Sequence, residues 1–428
     1  MRIRKGLEGM LVAALLALSG AACAAQNEIS KIVLFAPGTP PEVRAAKIEA
    51  AGGRVKRQLD LVDGVEAVFP ASESAVLAME KGTPLPAEQG AGGLSEGRDG
   101  VSGIESNERE NVLEQRAPSF GSFPSVRDFL NRGGAEAPAV GGVLLGAEDA
   151  EPVIPWGVTA VKAPDLWARS KGRGVRIGII DTGIDGEHAA LKENYRGGYN
   201  AVTEDGAPTD DHGHGTHVAG TVAANSREVI GVAPEASLYS IKSIDSRGQA
   251  ATADIIKGLE WAVKNKLQVV NMSLRKPHTE ALELAVARTL AAGVIIVAAA
   301  GNGSGAAVEA PARYAGVIAV SASNADGGLA DFSNKGPEVA FIAPGAEVVS
   351  TAMGGGVTTK SGTSMAAPHV AGLVALAIGL GHADGASVRR ALDGAAAPLP
   401  GVTEEGGQGG GMIDAGRIAA PRGGARAR

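Results

Sequence analysis

The chain has 428 residues, of which 44% are hydrophobic and 20% charged, enough at about 150 residues per domain for two or three globular units. Its formal net charge is −7 and no long Lys/Arg run occurs, so the basic footprint of a nucleic-acid binder is missing and polyanions are not expected as partners. Aromatic residues make up only 3% while glycine numbers 62, so aliphatic side chains must fill the core and much of the glycine must lie in loops.

The first 25 residues read as an export signal. Arg2, Arg4 and Lys5 form a basic start, residues 10–18 are apolar but too short to span a bilayer, and small residues follow to Ala25. Cleavage is expected near Ala24 or Ala25, giving a secreted protein, extracellular or periplasmic, with no membrane span. Cys23 is the sole cysteine, so no intrachain disulfide can form. A lipidated Cys23 is the competing reading, although Gly20 stands where bacterial lipoproteins usually carry Leu.

Residues 26–85 form a small pattern of their own. Residues 31–35 read as a strand, 41–51 as a helix closed by Gly52-Gly53, 65–69 as a second strand and 72–81 as a second helix. From 86 to 150 Gly, Ser, Pro, Glu and Arg dominate and only 120–130 is noticeably apolar, which describes a linker or insertion. Order is expected to return at Val143-Leu144-Leu145, and a junction is placed between about 140 and 153. Residues 421–428 make a short basic tail.

Residues 151–420 alternate apolar runs with amphipathic stretches. Strands are expected at 175–180, 238–244, 269–274, 294–299 and 317–320, and helices at 217–224, 253–264 and 280–292. This is an α/β pattern: a doubly wound, mostly parallel sheet with helices on both faces. Functional residues in such folds gather outside the carboxyl ends of the strands.

Four motifs fall there. Ile179-Ile180-Asp181-Thr182-Gly183 puts a carboxylate at the end of an apolar strand, where burial demands a hydrogen-bond partner such as a histidine ring. The same Asp-Thr-Gly also suits an aspartic protease, which needs a second such carboxylate, supplied here only by a homodimer. Asp211-His212-Gly213-His214-Gly215-Thr216-His217 clusters three histidines. Zinc is one reading, but the helical HExxH spacing and its Glu are absent. Ser361-Gly362-Thr363-Ser364-Met365-Ala366-Ala367-Pro368-His369 sets a serine at the start of an apolar helix, either as a cap or where helix N–H groups can face an oxyanion. Ala298-Ala299-Ala300-Gly301-Asn302-Gly303 ends a buried strand in a turn bearing an amide.

Together these strings resemble the motifs of the subtilase family of serine proteases, in the family's chain order of Asp, His, Ser. The resemblance covers roughly residues 151–420 and implies a subtilisin-like catalytic domain. It implies Asp181, His214 and Ser364 as the triad, Asn302 as an oxyanion donor, and His212, His217 and His369 as non-catalytic. Residues 26–85 resemble the family's inhibitory propeptide, with its ferredoxin-like fold. The resemblance further implies an autoprocessed preproenzyme acting on protein or peptide substrates, with its own propeptide as intramolecular inhibitor, as a monomer. No cofactor is required for the chemistry. The chain between Val222 and Gly231 is shorter than in calcium-binding relatives, which puts their tight calcium loop in doubt and leaves room for a structural calcium elsewhere.

Substrate contacts are expected from Ser273, Leu274, Arg275, Ala300, Gly301 and Glu309. Arg275 and Lys276 replace the family's usual glycines after Ser273-Leu274, so the subsite walls must differ. Glu309 near the pocket floor would favour a basic substrate residue, unless Arg275 neutralises it or both charges face solvent. A peptide-binding scaffold without catalysis is the remaining alternative, and would usually lack a triad member.

Overall fold

The computed structural model describes residues 28–70, 100–113, 152–402 and 407–421. The export signal with Cys23, the helix expected at 72–81, most of the tract from 86 to 150 and residues 422–428 lie outside the described residues. The chain divides into two compact units, Met1–Glu108 and Arg109–Arg428.

In the first unit, β1 (Glu28–Phe35), β2 (Arg54–Leu59), β3 (Gly64–Pro70) and β4 (Val101–Ser106) form an antiparallel sheet in the order β2-β3-β1-β4, with α1 (Pro41–Ala50) packed against it. Alternate residues Val33, Phe35, Val65, Ala67 and Phe69 bury on one face with Ile48 of α1, the period-two pattern of a half-buried sheet. Two strands depart from the sequence reading. β2 buries Arg57 against Glu66, so its inward positions are not uniformly apolar. β4 falls inside the stretch read as linker, so this unit extends beyond residue 85.

The second unit is built on a nine-stranded sheet. Its strands are β6 (Arg176–Asp181), β7 (Tyr195–Asn200), β8 (Ser237–Lys242), β10 (Val269–Met272), β11 (Ile295–Ala299), β12 (Ile318–Ser323), β13 (Val339–Pro344), β16 (Ala396–Ala397) and β17 (Met412–Ile413). They lie in the order β16-β17-β13-β12-β11-β10-β6-β8-β7, all parallel except the β16–β17 edge. The central strands are buried on both faces, which is why they read as unbroken aliphatic runs. Short helices α2 (Trp156–Ala160) and α3 (Ala163–Leu166) precede β6, and helices α4 (His214–Ala223), α5 (Thr252–Lys264), α6 (Glu280–Ala291) and α7 (Thr363–Gly379) join the layers. No helix among the described residues is long and apolar enough to cross a membrane.

From β6 the chain moves outward to β7 and β8 on one side, then returns across β6 to β10, β11, β12 and β13 on the other. The order therefore reverses between β6 and β10, and in open α/β sheets the crevice above that switch point is where ligands bind. Asp181 ends β6, Ser273 and Leu274 follow β10, and Ala300 to Asn302 follow β11. Topology alone thus brings two of the four sequence motifs, together with Ser273-Leu274, to one edge. The histidine motif opens α4, between β7 and β8 in the chain, and the serine motif arrives with α7, which a hairpin of β14 (Val348–Thr351) and β15 (Val357–Lys360) leads into.

Candidate active site

Asp181 is fully buried, and both its oxygens face the His214 ring, with Nδ1 2.8 Å from Oδ1 and 3.0 Å from Oδ2. The carboxylate thereby obtains the partner that its burial demands, and it fixes Nδ1 as the protonated ring nitrogen. That leaves Nε2 as the basic nitrogen.

His214 opens α4, and the turn before it is held by Asp210, a residue the motifs did not single out. Its carboxylate accepts the N–H groups of His212 (3.0 Å), Gly213 (2.9 Å) and Thr216 (2.9 Å) and the hydroxyls of Thr182 (2.7 Å) and Thr216 (2.5 Å). Burial pushes its pKa up, but the hydrogen bonds from Thr216, Gly213 and Thr182 outweigh it and hold the group below the usual carboxylate range. Thr182 in turn accepts the Gly215 N–H at 2.9 Å. Asp210 therefore joins the turn carrying Asp181 to the helix carrying His214. Lys242, buried beside Asp181 at the end of β8, braces the same turn by donating to the Thr182 carbonyl (2.6 Å) and to Asp211 (2.6 Å).

Ser364 lies in the first turn of α7, where unpaired N–H groups and the positive end of the helix dipole gather. Pro368, four residues on, has no N–H to bond back to the Ser364 carbonyl. Ser273 takes that place, its hydroxyl donating to the Ser364 carbonyl at 2.7 Å, while Asn271 donates to the Ser273 hydroxyl at 2.9 Å. The Ser364 hydroxyl donates to the Ser273 carbonyl at 3.2 Å rather than to His214. Catalytic hydrogen bonds often close only when substrate is present.

Asn302 is held at its oxygen. Oδ1 accepts the Thr363 N–H (2.8 Å) and the Thr363 hydroxyl (2.9 Å), which orients the amide NH₂ away from them. Gly301, at φ +106°, precedes it, and a Cβ there would stand 2.4 Å from Glu309 Oε2 and 2.3 Å from Asn334 Nδ2, so only glycine fits. Arg275 Nη1 lies 3.5 Å from Glu309 Oε1, each side chain about one-third exposed. Leu274, Arg275, Gly301, Asn302 and Ser364 line one small cavity, together with Val112. Ser273 bonds the Ser364 carbonyl, Glu309 lies beside Arg275 and Gly301, and the Ala300 carbonyl accepts the Glu309 N–H, so all six residues Ser273, Leu274, Arg275, Ala300, Gly301 and Glu309 lie at or beside this cavity.

Val112 belongs to a strap that sequence reasoning assigned to a linker. Glu110–Asn111 (β5) pairs antiparallel with Gln249–Ala250 (β9), the Val112 N–H donates to the Gly248 carbonyl (3.0 Å), and the Arg275 N–H donates to the Val112 carbonyl (3.1 Å). An extended segment of the chain therefore lies between two backbone edges of the crevice.

The three clustered histidines have separate duties, an arrangement unlike a shared metal site. His214 faces Asp181, His217 faces the Val348 carbonyl at 3.0 Å, and the His212 ring centre is 6.4 Å from that of His214. Burial pushes His217 well below its ordinary pKa and His369 down to about 4, their carbonyl bonds only partly offsetting it. A histidine with a lowered folded pKa takes up a proton on unfolding, so its stabilisation is whole above its unfolded pKa and is lost as pH falls toward the folded value. His369 alone is expected to remove roughly 3 kcal/mol of stability between pH 6.5 and about 4. Denaturant unfolding of an inactive Ser364→Ala protein across that range should show at least this loss, since lowered His217 and Asp210 act in the same direction. An unfolding free energy that stays flat there would contradict it.

Residues 172–410 match the Peptidase_S8 profile of the subtilase family. The chain is 46% identical over 231 residues to subtilisin DY of Bacillus licheniformis, a match covering 52% of this chain and 84% of that protein. It is 45% identical over 232 residues to subtilisin E of Bacillus subtilis, covering 52% of this chain and 60% of the relative. It is also 44% identical over 227 residues to a thermostable alkaline protease of Halalkalibacterium halodurans, 62% of whose length is matched. The crevice, its motifs and these matches agree: the chain belongs to the subtilase family and is a serine-type endopeptidase.

Proposed function

We propose that Asp181, His214 and Ser364 are the catalytic triad, with Asn302 and the Ser364 N–H as oxyanion donors, in a secreted endopeptidase that processes itself from a preproenzyme. The observation that carries this reading is the two-oxygen contact of buried Asp181 with His214 Nδ1, at the switch point where Ser364 begins α7. His214 Nε2 takes the Ser364 proton as Oγ attacks the peptide carbonyl, and Asp181 stabilises the imidazolium. The Asn302 amide and the Ser364 N–H bind the oxygen that becomes negative. His214 then protonates the leaving amine, and water resolves the acyl-enzyme. No cofactor enters these steps, and a structural calcium would act on stability alone.

Substrate lies extended along Ser273, Leu274 and Arg275, with one side chain entering the pocket beside Ala300, Gly301 and Glu309. The Arg275–Glu309 pair supports a pocket without net charge, favouring an apolar residue over a basic one. Export rests on the basic-apolar-small pattern of residues 1–25. The strap at 110–113 supports self-processing, because it places the chain's own backbone in the crevice. It also moves the expected first cut to the residues just after Leu113, well ahead of the 140–153 junction suggested by composition.

A segment spanning residues 26–113, added in trans, should inhibit the monomeric mature enzyme competitively. A mature enzyme lacking that segment should refold slowly, since parallel sheets pair residues distant in sequence and have high folding barriers. N-terminal sequencing of the first processed form should begin shortly after residue 113. Unchanged activity with excess segment would contradict an inhibitory role.

A further inference from the structure

We propose that the far end of the crevice is charge-selective, and reads an Arg-Glu pair whose Glu lies two residues before the one lining the pocket. This rests on the endopeptidase reading of the site and adds the class of peptide it prefers.

Two side-chain contacts of the strap carry the argument. Arg109 Nη2 lies 2.8 Å from Asp254, in the first turn of α5, whose side chain is 1% exposed. Arg109 Nη1 lies 3.8 Å from Asp245. Glu110 Oε2 lies 3.0 Å from the ammonium of Lys276, whose side chain is 3% exposed and which also donates to the Ala250 carbonyl at 3.2 Å. Lys276 follows directly on Ser273-Leu274-Arg275, the edge whose Arg275 N–H bonds the Val112 carbonyl. The charges are thus mounted on the two backbone edges that hold the strap, Lys276 on one and Asp245 and Asp254 flanking the other.

When an extended peptide adds to two sheet edges, backbone hydrogen bonds hold any sequence and the side-chain contacts discriminate. Buried charges discriminate strongly, because an occupant lacking the opposite charge leaves them desolvated and incompletely paired. Alanine at the Glu110 position leaves the Lys276 ammonium its carbonyl contact but removes its ion-pair partner among the described residues. Lysine there places two ammonium groups together. Arg109-Glu110-Asn111-Val112-Leu113 is then the sequence within this chain that fits its own crevice, and exogenous substrates of the same charge order are the preferred ones.

The test uses the processed enzyme and internally quenched peptides built on Arg-Glu-Asn-Val-Leu. Replacing the Glu of the peptide by Lys is expected to lower kcat/KM by about 30-fold or more. Lys276→Glu in the enzyme should reverse that order, favouring the Arg-Lys peptide. The wild-type comparison does not depend on the variant folding. Cleavage of all peptides within twofold by wild type would overturn the charge-selective reading while leaving the endopeptidase intact. Failure to cleave any peptide or an unfolded protein would overturn the endopeptidase reading itself.

Discussion

Ser364→Ala is expected to reduce kcat by about 10⁶, the size of loss known from the subtilisin nucleophile itself, because triad members act as one unit and little remains when any is removed. Substrate binding should be nearly unchanged, since the hydroxyl is a small part of the crevice lined by Leu274, Arg275, Gly301 and Asn302. The fold should persist. The Ser364 hydroxyl makes one bond, to the Ser273 carbonyl, whereas the bond that bridges the gap left by Pro368 uses the Ser364 backbone carbonyl and survives the substitution. The mutant should also accumulate as precursor when produced without other proteases. Mature-length protein appearing under those conditions would show that processing is not autocatalytic, and normal peptide hydrolysis would remove Ser364 from the mechanism.

Asn302→Leu should give the second-largest effect, a fall in kcat of about 10² to 10³ with KM little altered, the range known for the corresponding amide of subtilisin. The side chain is about the same size, so packing changes little, but the NH₂ that would face the oxyanion is gone. The substitution also strips the Thr363 N–H and hydroxyl of their shared acceptor at the start of α7. Losing that acceptor is expected to cost on the order of 1 kcal/mol of stability. Steady-state kinetics beside unfolding curves separates the two consequences. A variant that loses stability while keeping kcat would make Asn302 a cap and not an oxyanion donor.

What was legible in the sequence follows from what each element buries. β6, β10 and β11 are covered on both faces, so their aliphatic runs announced them. β7, with the sequence Tyr-Arg-Gly-Gly-Tyr-Asn, is an edge strand whose register shifts between Tyr195 and Gly198 and whose only apolar side chains are two tyrosines, and it was not foreseen. There a Cβ on Gly198 would stand 1.8 Å from the Ser240 carbonyl oxygen, so close approach of two backbones fixed the residue. The helix expected at 217–224 begins at His214, because Asp210 holds its first turn through hydrogen bonds that no helical period predicts.

The residues proposed as the triad were legible because each sits in a local string with its own turn or helix start. The supports around them were not, because they join distant positions. Lys276 and Glu110 are 166 residues apart, and Ser273 and Ser364 are 91 apart. Local position alone places Arg275 and Glu309 near the pocket, but their mutual contact depends on the approach of two loops, which no local pattern encodes. The strap at 110–113 was hidden for another reason. It is a short, polar stretch with no hydrophobic period, and its order comes from the crevice edges rather than from itself.

The attack of Ser364, activated by His214, on substrate is tested most directly by treating the processed enzyme with phenylmethylsulfonyl fluoride and locating the adduct by peptide mass spectrometry. Complete loss of activity is expected, with one sulfonyl group on Ser364, no labelling of the His214→Ala variant, and no inhibition by pepstatin. Full activity after treatment, or an adduct on a different serine that accounts for the inhibition, would contradict it.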